Sequence, residues 1–154
     1  MSENLALARP YLLMLAIFTT GRLLQGADGV PYEKGHHIFS IVILTLHTVL
    51  YYGAFTRRWR RFALLQAVGL GATLGVISQL VILTATVLSY ALGVHTYFND
   101  PTALNAPGPL ALAQALPVRL GGLVGNSILA GVAGALGWTL GGLLPAEPAG
   151  TPGR

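Results

Sequence analysis

The sequence predicts an all-α integral membrane protein, a four-helix bundle with both termini in the cytoplasm. Three observations predict it. The chain is 53% hydrophobic and only 9% charged, where a soluble domain carries about 25% charged residues. Four apolar stretches stand apart along it, each near the length a span needs. Four of its nine basic residues fall in one short junction between two of those stretches.

The first stretch, Pro10 to Gly26, is the weakest, because Arg22 interrupts it. Read from Met1, it also fits a cleaved signal peptide, with a basic residue ahead of an apolar run, but it lacks an A-x-A-like site. The second runs from His36 to Phe55 and the third from Phe62 to Gly93, with no charge in the third. At 1.5 Å per residue the third exceeds a ~30 Å hydrocarbon core, so it must tilt, kink or project. The fourth runs from Leu116 to Leu144. Pro10 and Pro117 sit where a first helical turn accepts proline. No segment alternates in the manner of a barrel strand. Residues 1–145 form one domain, and the Pro/Gly-rich end, 146–154, reads as a disordered tail.

Orientation follows from charge. "TRRWRR" (Thr56 to Arg61) joins the second and third stretches, and the positive-inside rule places it in the cytoplasm. Tyr51, Tyr52, Phe55, Trp59 and Phe62 bracket it as an interfacial belt. Arg57, Arg58, Arg60 and Arg61 are expected to attract anionic lipid. The excess of Arg over Lys, with Ala, Gly and Leu dominant, suits a GC-rich bacterial genome and hence an inner membrane. The net charge of +4 is no nucleic-acid signal, because no basic stripe exists outside that junction. With no cysteine, disulfides, thiolate nucleophiles and thiolate metal sites are excluded.

Three sets of residues stand out. Small residues in G-x-x-x-G spacing (Gly71 and Gly75, Gly121 and Gly125, Gly137 and Gly141) predict close helix packing within the bundle, or a face for a homo-oligomer or a larger membrane complex. Near mid-depth each stretch carries a polar group: Thr20 (beside Thr19), His47, Gln79 (beside Ser78) and Asn126. At one depth these predict an interhelical polar layer, as structural glue or as a ligand, quinone or ion site. At the outer face Arg22, Glu33, His37, His95, Asp100 and Arg119 gather, with His36 beside them. They read as interfacial anchors, or as a mouth for an anionic ligand or lipid headgroup. Arg119, just after Pro117, is expected at the interface. Metal ligation is not predicted, because no H-x-x-x-H or H-E-x-x-H spacing occurs. No cofactor is predicted, and no span holds a carboxylate for proton coupling.

The function expected from these features is non-enzymatic, a small structural or accessory membrane component. The alternative is a protein that binds or transports a small molecule, lipid or ion through the charged mouth and polar layer. A second alternative is a redox anchor or enzyme using His47.

Overall fold

The computed structural model describes residues 2–145, and among these every regular element is helical. They are α1 (Ser2–Ala27), the short α2 (Tyr32–Gly35), α3 (Ile41–Arg60), α4 (Leu64–Ala91) and α5 (Leu112–Gly141), with a 3-10 turn at Thr102–Leu104. The tail expected at 146–154 lies outside the described residues.

Local chemistry sets the ends. Ser40 caps α3, its Oγ accepting from the Ile43 amide at 3.4 Å. Arg61 ends α3 in the left-handed region at φ 54°. Both α4 and α5 start with a glutamine reaching back to the residue before the helix. The Ala63 amide donates to Gln66 Oε1 at 2.8 Å, and the Ala111 amide to Gln114 Oε1 at 3.0 Å. Gly93, at φ 64°, closes α4.

Two expectations about proline change. α1 begins at Ser2 and α5 at Leu112, so Pro10 and Pro117 lie inside helices rather than in a first turn. Each removes one backbone hydrogen bond there. For α5 the glutamine cap at Ala111 moves the start back by about one turn, which carries Arg119 inward from the helix end.

α5 packs along both α3 and α4, and α1 lies more sparsely against α3 and α4. The core joins Tyr11 and Leu15 of α1, Ile41, Val49 and Tyr52 of α3, Leu74, Ile82 and Ala85 of α4, Ala130 of α5 and Phe98 of the loop before it. Tyr11 is polar at its tip and satisfied there. Its hydroxyl lies 3.0 Å from Thr45 Oγ1 and donates to the Leu74 carbonyl at 3.3 Å.

Glycine sets the helix spacing. A Cβ at Gly141 would stand 2.5 Å from the Ala54 carbonyl oxygen, and one at Gly71 2.5 Å from that of Ala130. Gly137 likewise meets the Leu50 backbone, and Gly75 meets Ala130 and Ser127. Gly121 and Gly125 meet nothing within 4 Å. At this end Arg57 stacks on Trp138, 3.9 Å from the ring centroid, and donates to the Trp138 carbonyl at 3.0 Å. Arg58 donates to the Pro145 carbonyl at 2.8 Å. Arg57 therefore serves the C-terminal carbonyls of α5, where a cation is favoured, and Arg58 ties down the segment that follows.

α4 and α5 are long and apolar enough to cross a membrane. Only 39% and 28% of their most apolar windows are buried, so neither is wrapped as a core helix would be. Their outward faces are apolar, with Leu80, Leu88, Val124, Ile128, Val132 and Leu136 all exposed.

Candidate ligand-binding site

At the end opposite Arg57, the loop between α4 and α5 folds back over the bundle as a cap. Its sequence, "HTYFNDPTALN", buries Tyr97, Phe98 and Leu104 almost completely. Polar residues shape it. Thr96 Oγ1 lies 2.7 Å from Ser89 Oγ and accepts from the Phe98 amide at 3.1 Å. Asn99 Oδ1 accepts from the Thr96 amide at 2.8 Å, and Asn99 Nδ2 donates to the Val94 carbonyl at 2.9 Å. The cap then pins the α1–α3 connection. Tyr97 donates to the Pro31 carbonyl at 3.2 Å, and Thr102 Oγ1 to Glu33 Oε1 at 3.3 Å. Gly26 permits this, because a Cβ there would stand 2.5 Å from Thr96 Cα and the Tyr97 nitrogen. Burial pushes the Tyr97 hydroxyl above its ordinary range, against the opposing pull of the Arg22 guanidinium.

Beneath the cap, between α3, α4 and α5, lies a cavity of about 340 Å³. Its rim holds Arg22 and Arg119, and its deeper wall holds Gln79 and Asn126. Arg22 donates to Tyr32 Oη at 3.1 Å and to the His36 carbonyl at 3.3 Å. Its guanidinium lies 5.5, 5.6 and 5.9 Å from the ring centroids of Tyr32, Tyr97 and Phe98. Arg119 donates to the Phe98 carbonyl at 2.6 Å and to Thr86 Oγ1 at 3.1 Å. Every one of these partners is neutral. Among the described residues, neither arginine has a carboxylate partner.

The expected mouth residues therefore divide. Arg22 and Arg119 line the cavity, joined by His36. Glu33, His37, His95 and Asp100 do not line it. Asp100 accepts from the Thr102 amide at 2.8 Å and stands 3.6 Å from His95 Nε2. His37 is exposed, its ring 3.6 Å from that of His36. Arg119 is not in the first turn of α5, which begins at Leu112. It is half-buried inside α5 and clasps both α4 and the cap.

The expected mid-depth layer also divides. Gln79 is buried, with Nε2 lacking a hydrogen-bond partner among the described residues, and Asn126 is half-buried beside it. His47 is exposed, its Nδ1 2.9 Å from the Ile43 carbonyl of its own helix. Thr20 is exposed as well. Equal depth does not bring residues together when their angles around the helix differ. The inner face of α3 is Ile41, Thr45, Val49, Tyr52 and Thr56, and His47 points about 200° away from Thr45.

Residues that the sequence reading passed over complete the site. Thr86 lies on the Gln79–Ile82 face of α4, a helical stripe visible in the sequence. Tyr32 and Tyr97 carried no such signal, since their places depend on how two loops meet. No family model, curated protein or solved structure matches the chain.

Proposed function

We propose that this chain is a multi-pass protein of a bacterial inner membrane, spanning four times with α1, α3, α4 and α5, which binds an oxyanion in the capped cavity. The observation that carries the binding reading is the pair of guanidinium groups sharing one cavity with no carboxylate between them. Two like charges repel in a confined, partly desolvated space. A carboxylate or phosphate between them would relieve that repulsion and accept charge-assisted hydrogen bonds from both. The neutral acceptors now holding the guanidiniums keep them oriented without cancelling their charge.

The membrane reading is supported by the apolar outward faces of α4 and α5 and by the segregation of basic residues. Arg57, Arg58, Arg60 and Arg61 sit at one end beside exposed Tyr51 and Trp59, which supports a cytoplasmic side there and an outer side at the capped end. Arg60 and Arg61 are exposed and suited to anionic lipid. A second reading, self-association, is favoured by Gly121 and Gly125, where an added Cβ meets nothing within 4 Å among the described residues.

Titration calorimetry of the full chain in detergent, with acetate and with inorganic phosphate, tests the binding reading. Saturable binding of one oxyanion per chain is expected, weakened about 10–100-fold by Arg22→Gln or Arg119→Gln, the range for a hydrogen bond to a charged group. Affinity untouched by both substitutions contradicts it.

A further inference from the structure

The arginine rim does not account for the deeper half of the cavity. Gln79 is only 4% exposed, and its Nε2 has no partner. A buried amide donor without an acceptor is costly and rare in folded proteins. A half-turn of the carboxamide exchanges Nε2 with Oε1, which lies toward Gly122 and the cavity, and so brings the donor to an occupant. Asn126 lines the same wall from α5. Gly122 lies between them. A Cβ there would stand 3.5 Å from Gln79 Oε1 and 3.7 Å from Asn126 Nδ2, so a larger side chain would fill the space the amides face.

The two tiers are parallel. Arg119 reaches Thr86, so the guanidinium lies level with Thr86 on α4. Gln79 to Thr86 along α4, and Arg119 to Asn126 along α5, each span about 10 Å at the helical rise of 1.5 Å per residue. The antiparallel helices thus place a cationic tier under the cap and an amide tier about 10 Å deeper, facing one cavity. Both amides line it, and side chains extend several ångströms from the helix axis, so a ligand shorter than that separation spans the two tiers.

We infer that the cavity is a two-point site for an organic oxyanion, a carboxylate or phosphate held by Arg22 and Arg119 whose uncharged oxygen, a carbonyl or hydroxyl, is bound by Gln79 and Asn126. This rests on the oxyanion reading above and sharpens it. A bare inorganic ion satisfies the rim and leaves the Gln79 amide unpaired. An organic anion with a second acceptor satisfies both tiers. The same chemistry is offered by a free oxo- or hydroxy-acid and by a glycerol-type lipid headgroup.

The test compares heptanoate with 6-oxoheptanoate, which differ by one methylene exchanged for a carbonyl. Affinities are measured on the full chain in detergent, with empty micelles subtracted, and repeated on Gln79→Leu. 6-Oxoheptanoate should bind about tenfold tighter, because only it pairs the buried amide. Gln79→Leu should erase that difference without weakening heptanoate. Leucine removes an unpaired polar group at similar size, so the variant should melt no lower than the parent. Asn126→Leu serves as a second variant with the same expectation. Equal affinity for the two acids, or a difference that survives both substitutions, overturns the inference while an arginine-dependent affinity for acetate keeps the oxyanion reading. No affinity for any of these acids overturns both. Repeating the titration in nanodiscs separates the two sources. Competition by phosphatidylglycerol, relative to phosphatidylcholine, supports the site with a lipid headgroup as its occupant. Equal affinity in both supports it with a free acid.

Discussion

Alanine substitution along α5 should change sign from one G-x-x-x-G pair to the next. At Gly137 an added methyl stands 2.8 Å from the Leu50 carbonyl carbon and 3.0 Å from Leu50 Cα. Ordinary carbon contact is about 3.5–4.0 Å, the Leu50 carbonyl oxygen stands closer still, and the obstacle is backbone, so α3 and α5 must part by about 1 Å. A gap of that size forfeits a quarter to a half of each pair's attraction, and each pair contributes about 0.1–0.2 kcal/mol. Over roughly 30 pairs at a crossing the loss is about 1–3 kcal/mol, within the range for overpacking. Alanine's better helix propensity returns up to about 1 kcal/mol. Gly137→Ala should therefore be destabilising by as much as about 2 kcal/mol. At Gly121 nothing lies within 4 Å, so Gly121→Ala keeps only the propensity gain and should be neutral or stabilising. Unfolding midpoints in a fixed detergent, by denaturant or heat, measure both. If Gly121→Ala lowers the midpoint as much as Gly137→Ala, the packing argument is wrong, and Gly121 is buried in a contact outside this chain.

Other outcomes follow from the same geometry. His47→Ala should shift stability by no more than about 0.5 kcal/mol, because the ring is exposed and bonds only its own helix; a larger loss in the same unfolding assay would restore His47 to a polar layer. Stability should fall as pH rises past about 10, the ordinary tyrosine value, because the unfolded chain releases the Tyr97 proton before the folded chain does. The folded pKa is the raised one, so its contribution is intact below the unfolded pKa and lost through the folded one. Tyr97→Phe should flatten that part of a melting-versus-pH curve. Since the chain has no cysteine, single introduced ones report topology without background. On intact cells a membrane-impermeant maleimide should label Gly108→Cys and not Ala63→Cys, and the reverse pattern would invert the proposed orientation.

Helical class was legible because composition and apolar run length act over whole segments. Ends were less so. The reading from His36 missed that Ser40 caps α3, and the reading from Leu116 missed the reach of Gln114 to Ala111. Arg22 and Arg119 were legible as candidates because charge beside an apolar run is conspicuous. What the sequence could not carry was azimuth and loop closure. His47 and Gln79 both sit near mid-depth, yet one faces outward and the other into the cavity. Glu33 and Asp100 share the outer face with the arginines, yet their oxygens accept from Thr102. That depends on the cap folding over Gly26, a contact between distant loops with no local signal. The glycine pairs show the same limit. Gly121–Gly125 and Gly137–Gly141 share one spacing on one helix, and only the neighbours of α5 separate them.

The most direct test of the binding account is to watch the arginine side chains while an oxyanion is added. The chain has eight arginines, and nitrogen-15 labelling gives each an Nε–Hε resonance. Arg22→Gln and Arg119→Gln assign the two at the rim. On titration with acetate at constant ionic strength, those two resonances should shift together along one saturable curve while the others stay nearly still. Uniform, non-saturating drift of all of them, or movement confined to the exposed arginines at the far end, would contradict an oxyanion site beneath the cap.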